Sequence, residues 1–331
     1  MRLGIVGWAC PIGMGRITFD FIKHLPVVGV FLMKAENGLE TKIRLPVHIL
    51  QDPKKPGPSM EKFINDVRPD TILSWEETRE AFVGLYAQKG IRWIHGINWD
   101  VFDERKPALY KTAKLIAPNR MCQRNLAKIG LDSSLLPMPI DMDLFPFRER
   151  NRAHSFLTVY RVGTPTRRAL EDIIAAWNKI QSPPPLTVTT YIPLNPNPPP
   201  PKEVTFKTTI FSYPSEVYAL GDVLVQPSRF EGIGLTLLEA QSAGLPVITV
   251  NAEPMSDLAP DLLLPAEERP GFNLKRALMA YHFSPADLAE KVSRLQGSDI
   301  SELSRKARAR VENEFSWKVL RQKWNDFVFQ K

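Results

Sequence analysis

Two carboxylates, Glu231 and Glu239, flank a loop that contains two glycines, Gly232 and Gly234. Carboxylate oxygens accept hydrogen bonds from hydroxyl groups, such as those of a sugar or a ribose. The backbone N–H groups of residues 232–236, at the start of a helix, can bind an anion such as a phosphate. Hydroxyl acceptors beside an anion-binding loop suit a nucleotide sugar. Alternatively, the two glutamates are solvent-facing residues of an ordinary βαβ unit, which could have the same spacing.

The sequence around this loop predicts a parallel βαβ unit. An apolar run over 223–225 ends at Pro227-Ser228, which indicates a buried strand followed by a turn. A helix is predicted over 235–243, with Gly244 after its end, and 245–250 is the next buried strand. In such a unit, the carboxyl end of the first strand and the start of the helix lie at one edge. Both glutamates are therefore expected at that edge.

Residues 221–249 resemble the donor-site signature of retaining GT-B glycosyltransferases of the glycosyltransferase family 4 group. The matching segments are Pro227-Ser228, Glu231-Gly232-Ile233-Gly234-Leu235, Glu239-Ala240 and Ser242-Ala243-Gly244-Leu245-Pro246-Val247-Ile248. The resemblance implies an α/β fold of the GT-B type, with two Rossmann-like domains facing across a cleft. It also implies transfer of a sugar from a nucleoside diphosphate sugar to an acceptor hydroxyl, with retention and with no obligatory metal or other cofactor.

The same resemblance implies roles for individual residues. Glu239 would hold the ribose and Glu231 the donor sugar. Arg161 and Arg168 would neutralise the departing diphosphate, with Arg167 as the alternative to Arg168. Arginine in place of the family's usual lysine keeps the charge and adds bidentate phosphate geometry. The donor-binding loop would comprise Gly232, Ile233, Gly234, Leu235 and Thr236.

The amino-terminal half offers fewer candidates. His95 follows a predicted strand and resembles a histidine that contacts the donor sugar, or it is a histidine satisfied by backbone at a strand end. The loop with Gly13 and Gly15, which is predicted to bind the donor, resembles one that faces the interdomain cleft in this family. Arg16 in that loop could meet a phosphate or an anionic acceptor, or it could cap a helix. The two glycines imitate a dinucleotide fingerprint, but Thr18 stands in place of the third small residue.

Composition limits the architecture and the compartment. A chain of 331 residues is long enough for two α/β domains. The predicted domains are an acceptor-side domain over 1–145, on which a terminal helix over 315–331 packs back, and a donor-binding domain over 150–314. No apolar run is long enough to span a bilayer, and no secretory cleavage pattern is present. Two cysteines provide neither a disulfide framework nor a metal cluster. These features predict a cytoplasmic protein without a metal site.

The acceptor is the least determined part of the prediction. The chain has a net charge of +7, and seven lysines or arginines lie between Arg105 and Lys128. Arg120 and Arg124 share a helix face. Such a surface could bind DNA phosphates or anionic lipid headgroups, or it could be an ordinary solvated face. Members of the family that this sequence resembles modify lipids, polysaccharides, small molecules and, in some phages, hydroxymethylated pyrimidines in DNA.

The charge favours DNA that carries a 5-hydroxymethylated pyrimidine, with a lipid, a polysaccharide or a small molecule as the alternative acceptor. Three further classes of protein stay open: a nucleotide-sugar epimerase, an NAD-dependent oxidoreductase, and a non-catalytic binding protein that keeps the fold.

Overall fold

The chain forms two compact units, each built around one parallel β-sheet. The computed structural model describes residues 1–10, 13–160, 165–209, 211, 213–272 and 277–330. Unit 1 comprises Met1–Met138 and Leu320–Lys331, and unit 2 comprises Pro139–Val319. Among the described residues, no helix has both the length and the apolar character needed to cross a membrane.

Unit 1 contains seven parallel strands in the order β3-β2-β1-β4-β5-β6-β7. The strands are β1 Leu3–Ala9, β2 Val27–Ala35, β3 Val47–Ile49, β4 Thr71–Trp75, β5 Arg92–Gly96, β6 Lys114–Ala117 and β7 Ser134–Leu135. The helices are α1 Gly13–His24, α2 Gly57–Val67, α3 Glu80–Gln88, α4 Pro107–Tyr110 and α5 Arg120–Lys128. The strand order reverses between β1 and β4, and ligands of doubly wound sheets bind beyond the carboxyl ends of the strands at such a reversal.

Helix α1 packs closely against β1 through a glycine of the strand. A Cβ added at Gly7 would lie 2.2 Å from Oγ1 of Thr18. The Thr18 hydroxyl donates to the Met14 carbonyl at 3.0 Å and accepts from the Trp8 N–H at 3.1 Å. The strand therefore supplies the small residue, and the helix carries a threonine where the dinucleotide fingerprint has its third small residue.

Unit 2 contains six parallel strands in the order β10-β9-β8-β11-β12-β13, and an antiparallel hairpin of β14 and β15. The strands are β8 Phe156–Val159, β9 Leu186–Thr190, β10 Val204–Thr208, β11 Val223–Val225, β12 Val247–Val250, β13 Leu262–Leu264, β14 Ala266–Phe272 and β15 Ala277–Phe283. The helices are α6 Leu170–Trp177, α7 Pro214–Tyr218, α8 Leu235–Ser242, α9 Met255–Leu258, α10 Pro285–Leu295 and α11 Ser301–Arg310. The strand order reverses between β8 and β11.

The carboxyl-terminal helix α12, Trp317–Phe329, belongs to unit 1 from Leu320 onward. Trp324 is fully buried, with its ring centroid 4.9 Å from that of Phe21 and 6.4 Å from that of Trp75. Its Nε1 donates to the Pro137 carbonyl at 3.0 Å. Apolar burial and this hydrogen bond together hold the end of the chain on the first sheet.

Unit 2 begins at Pro139, within the span 1–145 that the sequence predicts for the acceptor-side domain. Residues 139–145 belong to unit 2 because Ile140 forms a parallel bridge with Ser316, and its N–H donates to the Phe315 carbonyl at 2.7 Å. Phe145 is fully buried edge-on to Tyr218, with ring centroids 5.7 Å apart. The first seven residues after Met138 therefore form part of the second core.

The β14–β15 hairpin, which lies between β13 and α10, was not predicted from the sequence. Strand β8 ends at Val159. The predicted helix over 235–243 is α8, which ends one residue earlier.

The cap of α5 provides a test of local stability. The Asn119 side chain accepts from the Cys122 N–H at 2.9 Å and so satisfies an N–H group of the first turn. Replacing Asn119 by alanine is expected to lower the free energy of unfolding by about 1 kcal/mol. Urea unfolding followed by circular dichroism measures this change. Asn119→Ser keeps a capping oxygen and should stay near wild type; an equal loss in both variants would contradict the capping role.

Candidate functional site

Two segments of unit 2 meet beyond the carboxyl ends of β8 and β11, where the strand order reverses. One is the 3-10 turn Pro165–Arg168, and the other is the loop 226–234. The N–H of Arg229 donates to the carbonyl of Arg167 at 2.8 Å and joins the two segments. This edge is where doubly wound sheets bind their ligands.

A buried ion-pair triad lies at this junction. Glu231 accepts from Arg167 through one carboxylate oxygen and from Arg168 through the other. Glu231 is 4% exposed and Arg168 is 7% exposed. The Arg168 guanidinium also donates to the hydroxyl of Ser228 at 2.9 Å. Two guanidinium groups and one carboxylate give the triad a net positive charge, which suits an anionic ligand.

The two arginines explain why the buried carboxylate of Glu231 is ionised. Burial acts to raise the pKa of Glu231, but the charges of Arg167 and Arg168 and the hydrogen bonds from Arg167 and Ser228 outweigh it. The pKa is therefore lowered from its ordinary value of 4.5 to about 2. Glu231 is charged at neutral pH, and it orients both guanidinium groups in this structure.

The loop that leads from the triad into α8 needs a glycine at its last position. Gly234 has a φ of 77°, a left-handed conformation that favours glycine. A Cβ added there would also lie 2.4 Å from Cδ1 of Leu258. Ile233 and Thr236 are buried on either side of it. The predicted donor-binding loop thus forms the start of a helix, whose first N–H groups lack partners within the helix.

Glu239 lies on α8 and is also buried. Its Oε2 accepts from the hydroxyl of Tyr218 at 2.5 Å. The buried Arg150 donates to the Tyr218 carbonyl at 2.8 Å and to the Gly221 carbonyl at 3.3 Å, so it holds the end of α7 that carries this tyrosine. The sequence did not point to Tyr218 or Arg150, because neither stands near Glu239 along the chain.

The site has further residues that the sequence did not single out. The Gln226 side chain accepts from the Val159 N–H at 3.2 Å and so links the ends of β11 and β8. The hydroxyl of Thr249, on β12, donates to the Gln226 carbonyl at 3.0 Å. In the sequence, Ser228 stood out only as part of Pro227-Ser228, a segment that matches the family's donor-site signature. Its hydroxyl is a partner of Arg168, a role that only the folded chain reveals.

Arg161, the other predicted diphosphate ligand, lies outside the described residues. The structure brings together Glu231, Arg167 and Arg168, three of the predicted site residues, in direct contact. Glu239 lies in the second turn of α8.

His95 lies at the carboxyl end of β5 in the core of unit 1 and is 2% exposed. Its Nδ1 is 2.8 Å from the hydroxyl of Ser74, which also accepts from Trp93 Nε1 at 2.8 Å. Burial lowers the pKa of His95 to about 3, so the ring is neutral at physiological pH. This placement matches a histidine satisfied at a strand end, with a hydroxyl instead of backbone as its partner. The predicted contact with a donor sugar stays a prediction.

The other candidates of unit 1 begin α1. Gly13 is the first residue of the helix, and a Cβ added at Gly15 would lie 1.9 Å from the Cys10 carbonyl oxygen. The Arg16 side chain is 9% exposed and its Nε lies 3.8 Å from the carboxylate of Asp20, one turn later. Arg16 is therefore a largely buried residue with a counter-charge on its own helix. Its predicted contact with a phosphate or an anionic acceptor stays a prediction.

The basic stretch 105–128 is partly neutralised within unit 1. Arg105 pairs with Asp103 at 2.7 Å, and Lys106 pairs with Glu80 at 2.8 Å. Lys114 donates to a carbonyl of α12 at 2.9 Å. Arg120 and Arg124 are exposed and lie four residues apart on α5. Part of the predicted basic surface is therefore engaged in contacts within unit 1.

Of the described residues, no group of three or more His, Cys, Asp or Glu side chains is placed to hold a metal ion. The segment Asp141-Met142-Asp143, which imitates a metal-binding motif, forms the start of a 3-10 turn. Asp141 caps this turn by accepting from the Asp143 N–H at 3.3 Å.

Comparisons with known proteins give matches in sequence and in structure. Residues 154–297 match the family model described as glycosyl transferases group 1, and this segment lies within unit 2. The sulfoquinovosyl transferase SQD2 of Arabidopsis thaliana is 32% identical over 109 residues, which are 32% of this chain. The match spans 19% of that protein, so this chain covers about a fifth of the relative's length.

Solved structures match the whole chain. HepE of Anabaena, in complex with UDP and glucose, has a TM-score of 0.74 at 14% identity, with 98% of each chain covered. Sucrose-phosphate synthase of Thermosynechococcus elongatus has a TM-score of 0.71 at 15% identity, covering 100% of this chain and 98% of that one. These matches confirm the predicted GT-B fold of two Rossmann-like α/β domains.

Proposed function

We propose that this protein is a glycosyltransferase that moves a sugar from a nucleoside diphosphate sugar to an acceptor hydroxyl, with retention of configuration. The observation that carries the proposal is the buried triad of Glu231, Arg167 and Arg168 at the reversal edge of unit 2. A net positive cluster beside the first turn of a helix suits a diphosphate. The family model matched by residues 154–297 and the fold shared with HepE support the same class of reaction.

The chemistry follows from where negative charge develops. When the bond between the anomeric carbon and the diphosphate oxygen breaks, the leaving diphosphate gains charge. The guanidinium groups of Arg167 and Arg168 would stabilise that charge through charge-assisted hydrogen bonds, which are stronger than neutral ones. Guanidinium groups can supply this stabilisation themselves, so the proposal requires no metal ion. A requirement for added divalent metal, with activity abolished by a chelator, would overturn the claim that no metal ion is needed.

The remaining ligand contacts are assigned from the positions of the polar groups. Glu239, held by Tyr218, would accept the hydroxyl hydrogens of the ribose. The N–H groups of residues 232–236 would face a phosphate. Glu231 would accept from a donor-sugar hydroxyl as its arginines turn to the diphosphate. HepE, with which this chain shares its fold, is described with UDP and glucose, so UDP-sugars are the first donors to test.

Incubation with a panel of nucleotide sugars tests the proposed class. Release of free nucleoside diphosphate is the expected result. Conversion of the donor to an isomeric nucleotide sugar would instead indicate an epimerase, and nicotinamide-dependent absorbance an oxidoreductase. Binding without turnover, in the presence of every acceptor class, would indicate a binding protein. The anomeric configuration of the product, read by NMR, tests retention.

For the acceptor, we propose DNA that carries a 5-hydroxymethylated pyrimidine. The support is the net charge of +7 and the exposed pair Arg120 and Arg124 on α5. Transfer to a hydroxymethylated duplex, beside unmodified duplex, acidic liposomes and a polysaccharide, tests this. Transfer only to liposomes or polysaccharide would replace the DNA acceptor and leave the donor chemistry intact.

The double variant Arg120→Ala/Arg124→Ala is expected to weaken duplex binding. The slope of log K against log salt should flatten by about one unit for each DNA phosphate that the variant no longer neutralises. Fluorescence anisotropy at several salt concentrations measures it. Arg105→Ala is the matched control, because it removes an exposed arginine of the same unit that lies outside α5. An unchanged slope in the double variant would remove α5 from the acceptor surface.

A further inference from the structure

Arg229 connects three separate segments beside the candidate phosphate site. Its N–H donates to the Arg167 carbonyl at 2.8 Å, and its own carbonyl accepts from the Tyr281 N–H at 2.8 Å. Its guanidinium pairs with the carboxylate of Asp172 at 2.6 Å. One residue thus joins the turn 165–168, the first turn of α6 and strand β15.

The β14–β15 hairpin is an addition to the doubly wound sheet. It leaves the sheet after β13 and returns to α10. On the way, β15 lies beside β12, and its backbone reaches the loop after β11 through Tyr281. Strand β15 therefore contacts the loop 226–234 at the carboxyl edge of the sheet, beside the candidate phosphate site.

The charge of Arg229 is balanced locally. Asp172 lies in the first turn of α6, where a carboxylate is stabilised by the helix dipole. Arg229 is 17% exposed in its side chain and Asp172 is 28% exposed, so the pair is partly shielded from water. Burial, followed by the charges of Arg229 and Arg269, lowers the pKa of the nearby His282, which favours its neutral form. Because its guanidinium pairs with Asp172, Arg229 is suited to a structural role.

We propose that Arg229 is a positioning residue for the diphosphate, which acts by holding Arg167 and Arg168 in place against α6 and the hairpin. This inference rests on the proposed function. Arg167 and Arg168 follow β8 in a short 3-10 turn, and a turn of this length has few backbone hydrogen bonds of its own. The Arg229 N–H bond ties the turn to the loop 226–234, and the ion pair of the Arg229 side chain with Asp172 fixes that loop on α6. Guanidinium groups that shift by about 1 Å bind a phosphate much less well.

The test compares the binding of UDP, UMP and inorganic pyrophosphate by isothermal titration calorimetry. Arg229→Ala is expected to weaken binding of UDP and pyrophosphate by about tenfold, and binding of UMP by less than about twofold. Asp172→Asn, which leaves the arginine in place but removes its counter-charge, should show a smaller loss in the same direction. Arg229→Lys keeps the charge and should recover part of the affinity.

The ratio of UDP to UMP affinity distinguishes a positioning role from misfolding of the site. A misfolded site would bind both nucleotides more weakly by the same factor. Arg294→Ala is the matched control, since it removes the exposed pair with Glu290 on α10 of the same unit. An Arg229→Ala protein with a wild-type ratio would overturn the positioning role alone. A wild-type protein that binds neither UDP nor pyrophosphate would overturn the inference together with the proposed diphosphate site.

Discussion

Replacement of Arg168 by alanine is expected to lower the rate of donor turnover by about two orders of magnitude. Arg168 is the more deeply buried of the two arginines and is held by both Glu231 and Ser228. Loss of one preorganised, charge-assisted contact to a leaving group costs about 3 kcal/mol in the transition state. Single-turnover and steady-state rates of nucleoside diphosphate release, with the best donor of the panel, measure this loss.

Two further variants make this result specific. Arg168→Lys keeps the charge but lacks the planar fork of donors, so its rate should fall between those of wild type and alanine. Arg167→Ala should have the smaller effect, because that side chain is 20% exposed and water screens its charge more than that of Arg168. Wild-type turnover in Arg168→Ala would remove it from the diphosphate site. A larger loss in Arg167→Ala would exchange the roles of the two arginines.

Replacement of Glu231 by glutamine is expected to lower the free energy of unfolding of unit 2 by about 3 kcal/mol at neutral pH. The change leaves two guanidinium groups of the triad without their carboxylate, and removing one partner of a buried ion pair is strongly destabilising. Urea unfolding of wild type and variant measures the difference. Saturating pyrophosphate should restore part of the stability, because an anion can replace the missing charge.

The stability difference between wild type and Glu231→Gln should depend on pH. The pKa of Glu231 is about 2 in the folded chain, below its ordinary value of 4.5. Its contribution is therefore fully present above about pH 4.5 and is lost as the pH falls through about 2. The two proteins should approach each other in stability across this window. A difference that is constant from pH 7 to the lowest pH that keeps the protein folded would contradict the charged triad.

Much of the donor region could be predicted from local sequence. The apolar strand β11, the glycines that open α8, and β12 follow from hydropathy and backbone preferences that act over a few residues. Helix α8 accordingly lies within one residue of its prediction. The resemblance of residues 221–249 to the GT-B donor-site signature likewise implied the α/β class of both units, and the matched structures confirm it.

The contacts that define the site could not be predicted in the same way. Glu231 meets Arg167 and Arg168 across 64 and 63 residues of chain, and Tyr218 meets Glu239 across 21. Which side chains meet depends on the order in which strands join the sheet. Strand order depends on packing over the whole unit. The sequence near either residue of a contacting pair therefore does not indicate it.

The burial of polar and charged side chains also could not be predicted from local sequence. A histidine at a strand end and an arginine at a helix start look alike in sequence whether they face a ligand or the core. Packing places His95 against Ser74 and Trp93, and Arg16 beside Asp20, while it leaves Arg120 and Arg124 exposed. Local preferences therefore specify the elements and the glycine-containing loop that is proposed to bind an anion. Long-range packing chooses the partners, protonation states and exposure of the charged groups, because these depend on neighbours that are distant along the chain.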